Sequence, residues 1–240
     1  QRITADKKSI SFEELGWDAA YLNSFNKIYI VACGTAYHAG LVGKYYIEKM
    51  ARVLVEVDVA SEFRYRDPIV DEHTLLIVVS QSGETSDTLA ALKESKRRGA
   101  KTLAITNVVG SSIAREADQV VYTWAGPEIA VASTKAYTTQ LVLFFMLALY
   151  MAEIKGTIAA ERTAELVAQL QEIHEPERSC ELLPLGRQVL RYNLVHRRAD
   201  VLAVHGAALR AIALRHSIIL FASPRVCGHA FLMTRLQRFC

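Results

Sequence analysis

A short apolar run, residues 75–79, leads directly into the polar stretch SQSGET at residues 80–85. The run is too short and too rich in β-branched residues for a helix. Its lack of alternation is typical of a strand buried on both faces of a parallel sheet. Across residues 84–92, apolar residues recur at helical spacing, and acids and hydroxyls crowd the first turn. The sequence therefore predicts a strand, a tight polar turn and the start of a helix.

This polar turn is a candidate anion site, because free backbone N–H groups and the positive end of a helix dipole converge there. Ser80, Ser82 and Thr85 add neutral hydroxyl donors, and Gln81 adds an amide. Donors without a fixed positive charge suit a phosphate that must bind and leave. The same residues also fit a plain helix cap with solvated hydroxyls, and the local pattern leaves both interpretations open.

Strands and helices alternate along most of the chain. Further strands are predicted at 27–33, 53–59, 101–106 and 119–123, and helices at 37–51, 84–98, 113–117, 133–151 and 157–176. A capping-box pattern at Ser11 predicts one more short helix. This alternation predicts an α/β fold whose parallel sheet is covered on both faces. Ligands of such sheets bind beyond the carboxyl ends of the strands, and the hydroxyl-bearing turns predicted at that edge favour a phosphate site.

Composition limits the function classes. The 240 residues are 51% hydrophobic and 22% charged, as in ordinary globular proteins, and a net charge of +3 gives no electrostatic argument for nucleic acid. Four cysteines (33, 180, 227 and 240) form no CxxC pair, and residues 1–20 do not read as a signal peptide. The longest apolar run, 141–152, is shorter than the roughly 20 residues of a membrane-spanning helix. A reduced, cytoplasmic protein without a nucleic-acid or membrane partner is expected.

Several chemistries have weaker support in the sequence. Neither a GxGxxG dinucleotide motif nor a P-loop is present, and the histidines and cysteines have no metal-ligand spacing, so no metal is expected. Cys33 could be a nucleophile with His38 as its partner, although a small buried filler is the commoner role of such a cysteine. Lys135 could point toward the ligand edge or into solvent, and the sequence favours neither.

Five motifs occur in order along residues 33–135: CGT at 33–35, ASEFRYR at 60–66, SQSGET at 80–85, GSS at 110–112 and VASTK at 131–135. Together they resemble the isomerase part of the glutamine–fructose-6-phosphate aminotransferase (glucosamine-6-phosphate synthase) family. The resemblance covers roughly residues 10–155 and corresponds to the first of two sugar isomerase (SIS) subdomains.

The resemblance implies a three-layer αβα sandwich on a five-stranded, Rossmann-like parallel sheet, with extra C-terminal helices. It also implies binding of fructose 6-phosphate or glucosamine 6-phosphate for amino-sugar (hexosamine, UDP-GlcNAc precursor) synthesis, without a cofactor. By position in the family motifs, the phosphate-binding residues would be Thr35, Ala36, Ser80, Gln81, Ser82 and Thr85, and the residues lining the sugar would be Cys33, Gly34, Val131 and Ser133. Many family members carry serine where this chain has Ala36.

Departures from the family pattern predict a truncated fragment. No glutaminase domain is recognised, and no lysine follows Lys155, although the family places its Schiff-base lysine in a C-terminal segment. The expected layout is a linker and helix at 1–26, an SIS domain at 27–155, a helical linker at 156–200 and a degenerate start of a second SIS domain at 201–240. Such a fragment is expected to bind its sugar phosphate as a homodimer without catalysing, since the family's catalytic residues lie in the second half. The alternative is a non-catalytic SIS module that senses sugar phosphates.

Overall fold

Five parallel strands make up the sheet in the computed structural model, which describes residues 2–128, 133 and 135–172. They are β1 (Lys27–Ala32), β2 (Val55–Val59), β3 (Thr74–Ser80), β4 (Lys101–Thr106) and β5 (Gln119–Tyr122). Their order across the sheet is β2-β1-β3-β4-β5, and each neighbouring pair is parallel. All five predicted strands are confirmed, with ends that differ from the prediction by at most two residues.

Helices cover both faces of this sheet. The described residues form α1 (Ala19–Asn23), α2 (Gly34–Met50), α3 (Ala60–Phe63), α4 (Ser86–Arg97), α5 (Ser112–Glu116), α6 (Lys135–Ile154) and α7 (Ala160–Glu172). Neighbouring residues of β1 point to opposite faces: Ile30 contacts Gly40 of α2, whereas Val31 packs in one cluster with Phe63 of α3 and Leu92 of α4. The three-layer αβα prediction is therefore confirmed, with α7 as an additional C-terminal helix.

Strand β3 lies in the middle of the sheet, and all seven of its residues are buried. This burial confirms the prediction made from the unbroken apolar run at 75–79. Because β3 is held between β1 and β4, the polar turn that follows it projects from the centre of one sheet edge.

Helix α6 packs against α2 as a core helix. Gly43 allows this close approach, because a Cβ atom built there would lie 2.5 Å from Cδ1 of Phe144 on α6. The helix has 20 residues, more than the apolar run at 141–152, and by length and composition alone it could cross a membrane. Most of its apolar side chains are buried within the fold, as the core-helix prediction requires.

Residues 2–17, here called the N-terminal arm, lie along β5. The guanidinium of Arg2 donates to the carbonyl oxygen of Tyr122 at 2.9 Å. The indole N–H of Trp17 donates to Oε1 of Gln119 at 2.6 Å, and Nε2 of Gln119 donates to the carbonyl of Leu15 at 2.7 Å. The arm is thus fixed to the last strand by side-chain hydrogen bonds.

The prediction of a short helix that starts at Ser11 is wrong. The N–H of Ser11 donates instead to the carbonyl of Arg2, and an antiparallel bridge joins Ile3 to Ile10. Burial of Phe12, 1% exposed, holds the arm in this non-helical path. The first helix is α1, and the carboxylate of Asp18 caps it by accepting the N–H of Tyr21.

The other predicted helices are present, and the ends that are described differ from the prediction by up to three residues. Helix α2 begins at Gly34 rather than at residue 37, so the CGT motif enters its first turn. A four-residue helix, α3, follows β2 where the sequence predicted no helix. The predicted helix at 157–176 is α7 up to Glu172, and its predicted end lies outside the described residues. The same holds for the predicted linker beyond residue 172 and for the start of a second SIS domain at 201–240.

Candidate functional site

The direction in which successive strands are added across the sheet reverses between β1 and β3. From β1 the chain crosses to β2 on one side, whereas β3, β4 and β5 follow one another on the other side. Because Ala32 pairs with Val79 at the ends of these two neighbouring strands, the turns that follow them leave the sheet side by side. Crevices of this kind are where open parallel sheets bind ligands.

The turn after β3, residues 80–85, is held in shape by its own hydroxyls and is here called the SQSGET loop. Oγ of Ser80 accepts the N–H of Gly83 at 3.1 Å and lies 3.0 Å from Oγ1 of Thr85. Oγ of Ser82 accepts the N–H of Glu84 at 3.2 Å. Ser80 is only 3% exposed, so its hydroxyl organises the loop from inside, while Ser82 and Thr85 are more accessible.

Position 83 requires glycine, both for its backbone conformation and because no space is left for a side chain. Its φ of +66° lies in the left-handed region that favours glycine. A Cβ atom there would lie 2.0 Å from Oγ of Ser111 and 2.8 Å from Oγ1 of Thr106. Both hydroxyls are buried and have no hydrogen-bond partner among the described residues, which is uncommon for buried polar atoms. The SQSGET loop therefore packs directly on the end of β4 and on the loop that follows it.

Helix α4 begins immediately after the loop. Thr85 is its N-cap, yet the side chain makes no capping bond to the helix and turns back toward Ser80. The N–H groups of the first turn have no partner within a helix, so they need acceptors from outside it. Twelve residues of aligned peptide dipoles place partial positive charge at this end. The arrangement suits a bound anion.

A second helix begins at the neighbouring turn. Cys33 is the N-cap of α2 without a side-chain capping bond, and Gly34 has a φ of +58°. Thr35 is half-buried in the first turn, and the adjacent Ala36 is only 7% exposed. The structure thus brings the predicted residues of the CGT motif and of the SQSGET loop to one sheet edge. Their roles as phosphate or sugar ligands stay predictions.

The remaining predicted site residues lie between β5 and α6. Ser133 is half-buried, and Val131 lies outside the described residues. Lys135 is the first residue of α6, and the N–H of the next residue, Ala136, donates to Oε2 of Glu128 at 3.3 Å. Glu128 therefore caps this helix.

Glu84 has a comparable role at another helix. Its Oε1 accepts the N–H of Ser112 at 2.8 Å, at the start of α5. The hydroxyl and the N–H of Ser112 lower the pKa of the Glu84 carboxyl below its ordinary value. A carboxylate that is engaged in this way and kept ionised is poorly suited to hold a proton for transfer.

Asn107 is a site-edge residue that sequence reasoning missed. Its N–H donates to the carbonyl of Gln81 at 3.1 Å, and its Oδ1 accepts the hydroxyl of Thr123 at 3.0 Å and the N–H of Ala125 at 2.8 Å. It thereby joins the loops that follow β3, β4 and β5. The available signal was an amide residue directly after a predicted strand, a position at which side chains commonly organise turns.

A five-stranded parallel sheet with this loop at the reversal of its strand order defines an open α/β domain of the ligand-binding type. The SIS domain family matches residues 21–150, more than half of the chain, and the chain belongs to this family.

Relatives of the chain are named isomerizing glutamine–fructose-6-phosphate aminotransferases, which are enzymes. The protein of Clostridium tetani is 61% identical over 72% of this chain and 28% of its own length, and that of Caldanaerobacter subterraneus is 54% identical over 91% and 35%. Among solved structures, the C-terminal domain of glucosamine-fructose-6-phosphate aminotransferase from Francisella tularensis is 39% identical, with a TM-score of 0.68 over 80% of this chain and 54% of that one. The chain is therefore homologous to an SIS segment of these enzymes and spans about a third of the length of these curated relatives.

Proposed function

We propose that this chain is the first sugar-phosphate-binding SIS domain of an isomerising glutamine–fructose-6-phosphate aminotransferase, and that it binds fructose 6-phosphate or glucosamine 6-phosphate. The observation that carries the proposal is the SQSGET loop, which presents hydroxyls at the uncapped start of α4 where the sheet order reverses. The phosphate ligands are Ser80, Gln81, Ser82, Thr85, Thr35 and Ala36, and the sugar lies against Cys33, Gly34, Val131 and Ser133.

The chemistry of the loop suits a phosphate monoester. Hydrogen bonds to a charged group contribute about 1.5–3 kcal/mol each, so a few neutral donors are sufficient for binding without a fixed cation. The first-turn N–H groups of α2 and α4 add donors from both faces of the sheet. A sugar without the phosphate loses these charge-assisted bonds.

Catalysis belongs, in this proposal, to other parts of the whole enzyme. Isomerisation needs a positioned base, and imine formation needs a lysine amine. Within the described residues, two carboxylates that follow β3 and β5, Glu84 and Glu128, accept backbone N–H groups of α5 and α6. The family resemblance places the acid, base and imine lysine in a second SIS domain and a C-terminal segment. The chain alone therefore binds without turning over.

The setting of the protein follows from the same proposal. We infer a cytoplasmic homodimer that acts in amino-sugar synthesis, with no nucleic-acid or membrane partner. The small net charge of +3 supports the absence of a nucleic-acid partner, and the packing of α6 against α2 supports its role as a core helix rather than a membrane span.

Thr85 provides the direct test of the phosphate site. Thr85→Ala is expected to weaken fructose 6-phosphate binding by about 1.5–3 kcal/mol, the scale of one hydrogen bond to a charged group. Thr85→Ser keeps the hydroxyl and serves as the matched control. Isothermal titration calorimetry of fructose and of fructose 6-phosphate gives the comparison. Equal affinities for the two sugars in the unmodified chain would contradict the proposal.

Ala36 provides a test in the opposite direction. Ala36→Ser adds a hydroxyl in the first turn of α2, next to the proposed phosphate position, and is expected to tighten fructose 6-phosphate binding by less than about ten-fold. The gain is modest because the new hydroxyl must lose water and be oriented. Calorimetry should show the gain for the phosphorylated sugar and none for fructose. An unchanged dissociation constant would remove this position from the site.

A further inference from the structure

Three acceptors of the SQSGET loop face a single neighbouring segment. The carbonyl of Gln81 accepts the N–H of Asn107, and the carbonyl of Gly83 accepts the N–H of Ile113 at 3.0 Å. The carboxylate of Glu84 accepts the N–H of Ser112 at 2.8 Å. The donors in these three bonds lie in residues 107–113, here called the β4–α5 segment.

This arrangement has an electrostatic consequence for a bound anion. A loop that binds an anion must present donors to it and turn acceptors away, because a carbonyl or carboxylate oxygen repels phosphate. Glu84 is the critical group, since it is an exposed carboxylate between Gly83 and Thr85 and carries a full negative charge. Its bond to Ser112 fixes this charge at the start of α5.

We propose that Glu84 is a positioning residue: its bond to Ser112 holds the SQSGET loop against the β4–α5 segment and keeps the carboxylate away from the bound phosphate. This inference rests on the proposed function, since it assigns a role at the same phosphate site. It predicts that the hydrogen bond matters for binding, and that the charge becomes harmful once the bond is lost.

Ser112 offers a clean way to remove the donor. It is the first residue of α5, a position where helices accept proline. Ser111 before it has φ −62° and ψ 163°, which is a conformation that residues preceding proline favour. Ser112→Pro removes both the N–H and the hydroxyl that donate to Glu84, so the carboxylate keeps only the electrostatic attraction of Arg115 and is released beside the ligand. Glu84→Gln keeps an acceptor but removes the charge, and Glu84→Ala removes both.

The experiment is a double-mutant cycle on the full chain, with calorimetric titration of fructose 6-phosphate. Glu84→Ala is expected to bind about ten-fold more weakly, and Glu84→Gln to stay within about three-fold of the unmodified chain. Ser112→Pro should be the weakest, at about thirty-fold, because the freed charge faces the phosphate. Adding Glu84→Ala to Ser112→Pro should restore binding to about the level of Glu84→Ala alone. A purely structural role would not produce this recovery.

Controls separate this inference from the proposed function. Glu116→Ala makes the same chemical change at the other end of α5 and should not alter binding. Thermal unfolding without ligand shows whether each variant is folded, and the comparison of Glu84→Ala with Glu84→Gln stands even if Ser112→Pro is unstable. Failure of the unmodified chain to bind fructose 6-phosphate would overturn the proposed function. Binding by the unmodified chain with equal affinity in Glu84→Ala, or a double variant weaker than Ser112→Pro, would overturn only the role of Glu84.

Discussion

Replacing Gly83 with alanine is expected to abolish fructose 6-phosphate binding and to lower the free energy of unfolding by about 2–5 kcal/mol. The new Cβ would lie 2.0 Å from Oγ and 2.5 Å from Cβ of Ser111, so rotating the serine hydroxyl away does not relieve the clash. Ser111 is 2% exposed and is the N-cap of α5, so the β4–α5 segment must move as a whole. Calorimetric titration and urea denaturation measure the two effects.

Gly110 provides the matched control for this substitution. Its φ is +71°, close to the +66° of Gly83, but a Cβ atom there would have no atom within 4 Å. Gly110→Ala should therefore cost only the backbone term, about 1 kcal/mol. The difference between the two variants measures the close packing of the SQSGET loop on Ser111. Equal unfolding free energies for the two variants would show that this contact does not constrain the loop.

The second large effect is an absence of turnover. With fructose 6-phosphate and either glutamine or ammonia, we expect the chain to form glucosamine 6-phosphate and glucose 6-phosphate no faster than a control without protein. General acid–base catalysis contributes about 10²–10⁴-fold only when a proton-transfer group is within hydrogen-bond reach, and the proposed site supplies hydroxyls, an amide and N–H groups.

Product analysis must be paired with a binding measurement on the same sample, so that an inactive but folded site is distinguished from an unfolded one. If product formed, the amine of Lys135 and the carboxylate of Glu84 would be the first candidates for catalytic groups. Product above the control that disappears in Lys135→Ala or Glu84→Gln would refute the division between binding and catalysis.

Local patterns were sufficient to predict the sheet and the position of the candidate site. The unbroken apolar run at 75–79 identified β3, because a strand buried on both faces needs apolar residues at successive positions. The glycine and hydroxyls of SQSGET identified the turn, because its hydrogen bonds, from Gly83 to Ser80 and from Glu84 to Ser82, join residues two and three apart. Both features depend on neighbours in sequence.

Contacts between distant residues could not be predicted in the same way. The capping-box pattern at Ser11 is a local helix signal, and it was overridden by the bridge from Ile3 to Ile10 and by burial of Phe12. The bond between Glu84 and Ser112 spans 28 positions, and sequence reasoning had treated this glutamate as an ordinary first-turn acid. Tertiary packing decided both cases.

The N-terminal arm has a consequence for the assembly behaviour of the domain. In a parallel ladder, alternate residues of an edge strand direct their N–H and C=O groups outward, where they can template another strand. Thr123 donates its N–H to Thr106 of the neighbouring strand, so the carbonyl of Tyr122 points outward, and Arg2 occupies it. A version of the domain that begins near residue 26 would expose this strand edge. It would also expose the side chain of Gln119, which in the full chain accepts the indole N–H of Trp17. We therefore expect the arm to protect the fold against edge-to-edge aggregation. Domain boundaries chosen only from the SIS match, which begins at residue 21, would remove the arm entirely.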